Sequence, residues 1–185
     1  VDKITTGDET QSQPELIRFV TDELGVIVNS EQNSVDFINI TPSGITMSGQ
    51  SVQITQDADA DASSIDVSVD ESILAVVVSK GACLRGELYL INTSTLQKYG
   101  PYELGFNPDA VDIAVDNKFV VVVNEFDYED GVDGGCQTLG FPGVSVYDIS
   151  AGIDNATLVK DMKISHTGSN GNLAEPEGVK IAPNG

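Results

Sequence analysis

The residues in this sequence with chemistry to offer are mainly acids and amides at recurring places. Glu15, Asp109 and Glu177 each stand one residue after the start of a short apolar segment, and Asn124 with Glu125 closes another. Carboxylate and amide oxygens are hard donors, the ligand type that Ca2+ or Mg2+ takes. A second set is Asp127, Glu129, Asp130 and Asp133, four acids in seven residues. A third is Asp57, Asp59 and Asp61, spaced like the start of a calcium loop. Its twelfth position, where an EF-hand needs a bidentate Glu, is Ser68, so it reads as a solvated turn. Carboxylates held together raise one another's pKa, which makes a cation a natural companion for a converging set. The competing reading is that the same residues cap turns and strand starts. The candidate metal ligands are therefore Glu15, Asp109, Asn124, Glu125, Glu177, Asp127, Glu129, Asp130 and Asp133, with Ca2+ as the expected ion.

Other chemistries have less behind them. His166 is the single histidine, in a Gly/Ser/Asn-rich stretch, and reads as a solvated side chain. No Gly-x-Ser-x-Gly elbow and no phosphate-cradling glycine loop is present. Cys83 and Cys136 with one distant histidine lack zinc-ligand spacing. The two cysteines fall in corresponding loops of neighbouring units, and a disulfide between them is expected. It would close a loop of about 50 residues, stabilise by roughly 4 kcal/mol in the chain-entropy account, and imply an oxidising compartment. Asn39, Asn92 and Asn155 open Asn-x-Ser/Thr sequons, candidate glycosylation sites in a secreted protein. The formal charge of −20 repels phosphate backbones and anionic lipid, which argues against nucleic-acid binding and membrane-surface partners. The sequence carries no signal peptide, membrane span or lipidation motif. Because it begins at Val1, it reads as a processed chain or a fragment.

Positioning these residues falls to short strands. Val111, Ile113 and Val115 alternate with Asp112 and Ala114, the period of a half-buried strand; Asp116, Asn117 and Lys118 make a turn. Residues 119–123 are a continuous apolar run, as in a strand buried on both faces. This hairpin recurs. Its entry reads Pro14-Glu-Leu-Ile-Arg-Phe, Ala62-Ser-Ser-Ile-Asp-Val, Pro108-Asp-Ala-Val-Asp-Ile and Pro176-Glu-Gly-Val-Lys-Ile, at spacings of 48, 46 and 68 residues. The first two spacings suit a four-stranded propeller blade of about 40–50 residues. Insertions at 126–143 and 166–172 lengthen the third.

The predicted fold is therefore all-β: a β-propeller of four-stranded antiparallel blades, about three blades plus the start of a fourth. Residues 1–13 are a polar segment or stray outer strand, 14–61 the first blade, and 62–107 the second. Residues 108–175 are the third blade, with a long loop at 126–143, and 176–185 the first strand of a further blade. Propellers close with about four to eight blades, so the remaining blades or other copies in an assembly are the expected partners. A β-sandwich of the same strands is the competing architecture.

The stretches LGVIVNSEQNSVDFINI, NPDAVDIAVDNKFVVVVNEFDYEDG, PGVSVYDIS and AEPEGVKIAPNG resemble successive parts of one secreted β-propeller family. These are the bacterial surface proteins called choice-of-anchor I, with animal relatives among the mesenchyme-specific cell-surface glycoproteins. The shared pattern is the Pro108-Asp109 entry, the apolar hairpin, Asn124-Glu125, the acidic loop at 127–133 and the strand at 143–150. Cys136 and its glycine-rich surroundings depart from it. The resemblance implies a secreted or surface-displayed protein, without a settled activity; some relatives carry phosphatase-like labels. The expected function is an acidic, calcium-associated binding or structural module of an extracellular assembly. The alternative is a metal-dependent extracellular hydrolase, of phosphoesterase or lactonase type, at the channel mouth.

Overall fold

The computed structural model describes residues 14–81, 83–126, 141–164 and 176–182. Three antiparallel sheets of four strands each follow one another along the chain. The first comprises β1 (Pro14–Phe19), β2 (Leu24–Asn29), β3 (Ser34–Thr41) and β4 (Gly44–Gln53). The second comprises β5 (Asp61–Val67), β6 (Ile73–Ser79), β7 (Arg85–Asn92) and β8 (Lys98–Phe106). The third comprises β9 (Pro108–Ile113), β10 (Phe119–Asn124), β11 (Gly143–Asp148) and β12 (Thr157–Lys163), with a 3-10 turn at Ile153–Asn155. In each sheet the strands lie in chain order, and β5 packs between β1 and β9. This is a propeller arrangement of blades, each meander turning outward from an inner strand. It bears out the predicted all-β class.

The period-two side-chain alternation of a strand explains the two cores. Leu74, Val76 and Val78 of β6, with Tyr89 and Ile91 of β7, pack against the first blade and its Val26, Val28 and Phe37. The residues between them, Ala75, Val77, Leu88 and Leu90, pack against Val111, Val120, Val122 and Tyr147 of the third. The middle blade is thus buried on both faces, and its strands need the near-continuous apolar runs seen in the sequence. Tyr102 stacks obliquely on Tyr147 at 5.7 Å and donates to Ile153 O at 2.6 Å, while the Tyr147 hydroxyl donates to Glu103 O. These bonds satisfy the phenols that the second core buries.

Several strand limits differ from expectation. The run at 119–123 is not buried on both faces: Phe119 is 38% exposed and Val121 half-buried. Both point away from the second blade. Val115 lies outside β9, because Ala114 N donates to Phe119 O and Asn117 N to Ala114 O, closing the turn one residue early. The fourth strand of the first blade begins at Gly44, directly after the turn: Thr41 Oγ1 donates to Gly44 O at 2.9 Å and tightens the reversal there. Residues 176–182 run without a regular strand assignment. The stray strand expected within 1–13 lies outside the described residues.

Candidate functional site at the blade-entry rim

The entry of each inner strand pairs directly with the end of the second strand. Pro14 pairs with Asn29, Asp61 with Ser79, and Pro108 with Asn124. Beside each pair the register slips by one residue. Pro14 and Leu16 oppose the adjacent Asn29 and Val28; Ala62 and Ser64 oppose Val78 and Val77; Pro108 and Ala110 oppose Asn124 and Val123. The unpaired residue is Glu15, Ser63 or Asp109 in turn. A β-bulge of this kind re-aims one side chain out of the ladder, and bulges gather at barrel rims and beside active sites. Three consecutive blades therefore present the residue after the entry position by the same backbone device. Glu177 holds the corresponding place in residues 176–182.

Contacts link the second unit's bulge to the third and the third's to residues 176–182, while Glu15 bonds within its own blade. Ser63 Oγ donates to Pro108 O at 2.9 Å, joining the second blade's bulge to the third blade's entry. Burial pushes the Asp109 carboxyl up from its ordinary range, and the Glu177 carboxylate beside it adds to the rise. Glu15 Oε1 accepts from Ser30 Oγ at 3.3 Å. Glu125 Oε2 accepts from Asn107 Nδ2 at 3.0 Å, and Ser79 Oγ donates to Asn107 Oδ1 at 2.8 Å. Asn107 has a left-handed φ of 45°, which Asn tolerates better than most residues, and this links the ends of β6 and β10.

Asn124 is placed differently from the rim acids. It is 1% exposed; its Oδ1 accepts from Gly105 N at 3.0 Å and its Nδ2 donates to Ser145 Oγ at 2.9 Å. A Cβ on Gly105 would lie 2.5 Å from Asn124 Cγ, so glycine is what lets this amide fit against β8. Its oxygen is committed inside the sheet, which sets it apart as a structural residue. Among the described residues, no three Asp, Glu, His or Cys side chains converge as a metal-binding group. Asp127, Glu129, Asp130 and Asp133 lie outside the described residues, as do His166 and Cys136. Cys83 stands in the turn before β7, and no described cysteine is free. Asp57 pairs with Lys80 at 3.6 Å, as suits the turn read from its sequence. Of the sequon asparagines, Asn39 and Asn155 are exposed. Asn92 is half-buried, its Oδ1 collecting bonds from Ser94 and Thr95.

One set of functional side chains was not anticipated. Asp66 and Asp112 sit at the same point of successive inner strands. Asp112 is 2% exposed. Asp66 Oδ2 accepts from Ile113 N at 2.9 Å, and Asp112 Oδ2 accepts from Ile181 N at 2.6 Å. Arg18 approaches Asp66 to 3.8 Å, and Lys180 ion-pairs with Asp112. Burial pushes the Asp66 carboxyl up, with the neighbouring Asp112 charge adding to it. The signal was available: the fifth entry position reads Arg18, Asp66, Asp112, Lys180, a charge at the centre of every apolar entry strand.

The choice-of-anchor I domain profile matches residues 17–185. The chain belongs to the choice-of-anchor I family. No curated protein matches the chain. Among solved structures, a Bacteroides fragilis protein provisionally named as a 6-phosphogluconolactonase superposes with a TM-score of 0.67 at 16% identity, over 92% of this chain and 42% of its own. The periplasmic gluconolactonase PpgL of Pseudomonas aeruginosa gives 0.59 at 13%, over 83% and 40%. The Dos1 propeller gives 0.57 at 13%, over 89% and 38%. The chain thus spans about two fifths of each of these structures, and at such identities the likeness is one of fold. Three blades of a propeller are what these matches have in common with the chain. Among the described residues, no helix is long and apolar enough to cross a membrane.

Proposed function

We propose that this choice-of-anchor I chain is a secreted or cell-surface binding and structural module whose entry rim associates with Ca2+. The observation that carries this reading is the bulge repeated at Glu15, Ser63 and Asp109, which takes one oxygen-bearing side chain per blade out of the ladder at the strand entry. Burial and the neighbouring Glu177 carboxylate disfavour ionisation of Asp109, and a cation there relieves that cost. Calcium accepts mixed carboxylate, hydroxyl, carbonyl and water oxygens, so a rim with two carboxylates and Ser63 fits its ligand chemistry. The acids at 127–133 follow Phe126 at the end of the third blade's hairpin and are proposed to add ligands. A Cys83–Cys136 disulfide and glycans at Asn39 and Asn155 belong to the same extracellular reading. The remaining blades, or other copies, are its proposed partners.

Thermal unfolding with and without Ca2+ tests this reading. At a hundredfold excess over its dissociation constant, a bound ligand adds about 2.7 kcal/mol to native-state stability. Ca2+ should raise the Tm of the wild-type chain, and Asp109→Asn with Glu177→Gln should remove most of that rise. An unchanged Tm on adding Ca2+ and on chelation refutes the cation role. The alternative uses the same rim for metal-assisted hydrolysis of a phosphoester or lactone; one protein of similar fold is a gluconolactonase. Turnover of such substrates that disappears in Asp109→Ala or Glu177→Ala would decide for it.

A further inference from the structure

The geometry points to Asp66 and Asp112, the fifth entry residues of the second and third blades, as the groups that dock the following inner strand, with residues 176–182 docked in this way as the inner strand of a fourth blade on the far side of β9. The inference stands apart from the cation reading, since the groups involved lie along the inner strands and not among the bulge residues. It rests on one hydrogen bond made twice. Asp66 Oδ2 takes the backbone N–H of Ile113, the sixth entry residue of the next unit. Asp112 Oδ2 takes the backbone N–H of Ile181, again the sixth entry residue of the next unit. A β-strand offers the N–H groups of alternate residues to each side, so those facing away from the strand's own hairpin partner need an acceptor. In β9 and in residues 176–182 the preceding blade supplies it as a carboxylate. A carboxylate accepting a backbone N–H makes a stronger bond than a neutral acceptor.

The end charges follow the same logic. Two inner-strand carboxylates lie close enough for Asp112 to raise Asp66, and cations flank them: Arg18 at 3.8 Å from Asp66 on one side, and Lys180 paired with Asp112 on the other. The order along the inner strands is therefore cation, anion, anion, cation. A run of buried acids would otherwise repel, and the flanking cations offset this. The match between Ile113 and Ile181 also says what covers the far face of the third blade. Phe119 and Val121 turn away from the second blade, toward the side where residues 176–182 lie bonded to Asp112, as their counterparts Ile73 and Ala75 of the second blade turn toward the third. The occupant is thus a further sheet of this same fold, beginning at Pro176, and not an unrelated partner.

Native-state amide exchange, followed residue by residue by NMR, tests the assignment. The Ile113 and Ile181 amides should both be protected in the wild-type chain. Asp112→Ala should speed exchange at Ile181 tenfold or more and leave Ile113 unchanged, while Asp66→Ala should do the reverse. Asp112→Asn, which keeps an acceptor oxygen, should retain most of the Ile181 protection and serves where the alanine variant does not fold. An Ile181 amide that exchanges at the unprotected rate in the wild-type chain overturns the proposal. So does Asp112→Ala or Asp112→Asn losing protection at Ile113 and Ile181 alike.

Discussion

Replacing Asn33 by Ala should be among the most damaging single polar substitutions in the chain. Asn33 is 5% exposed and joins the first blade to the second. Its Nδ2 donates to Ala60 O at 2.6 Å and to Asp57 O at 3.2 Å, and its Oδ1 accepts from Ala62 N at 2.9 Å. Its own carbonyl accepts from Ile54 N at 2.8 Å. Ala60 is 2% exposed and Ala62 0%, so water cannot readily replace the lost partners. Leaving a buried N–H and a buried C=O unpaired costs about 1–3 kcal/mol each. Asn33 also has a φ of 50°, where Ala pays roughly 1 kcal/mol more than Asn. The sum is about 3–7 kcal/mol, a large part of the 5–15 kcal/mol typical of a domain. Urea unfolding followed by far-UV circular dichroism measures it, since the chain has no Trp. Asn33→Gly removes the backbone strain alone and should recover about 1 kcal/mol relative to Ala. Because Ala62 adjoins the Ser63 bulge, the Ca2+-dependent rise in Tm should shrink as well. A loss below about 1 kcal/mol, the range of a surface substitution, refutes the assignment of Asn33 as the blade-to-blade tie.

Asp66 gives a pH signature. Its folded pKa is raised above 3.8, so the native state holds this proton longer than the unfolded chain does. Its contribution is fully present below pH 3.8 and is lost as pH rises through the folded value. Asp66→Asn, which keeps an acceptor for Ile113 N, should therefore gain stability relative to wild type as pH rises from below 3.8 to neutrality, read as the difference in Tm; parallel curves would contradict it. Peptide mapping without reductant should recover Cys83 and Cys136 in one cross-linked peptide, and two free thiols would end the disulfide proposal.

Blade organisation was legible because it rests on two short-range signals. Side chains alternate in period two, so Leu74, Val76 and Val78 could be read as one face and Ala75 and Val77 as the other. The entry motif repeats, so four inner strands could be aligned without knowing any contact. Strand limits were less legible, because they depend on single turn bonds: Ala114 N to Phe119 O removes Val115 from its strand, and nothing in the residue types requires it. The bulges were invisible for the same reason. A slipped register changes no residue, yet it decides that Glu15, Ser63 and Asp109 leave the ladder together. Asn124 shows the opposite limit. Its type and position matched those of a ligand, but Gly105, nineteen residues away, leaves space that the amide fills, and packing takes its oxygen out of the rim. Asp66 and Asp112 were passed over because an acid in a strand reads as a solvent-facing residue. On an inner strand that side faces the next blade, where the exposed amides of a neighbouring strand make a carboxylate the fitting side chain. In this fold a charge in mid-strand therefore indicates blade docking, and a charge one residue into the strand indicates the rim.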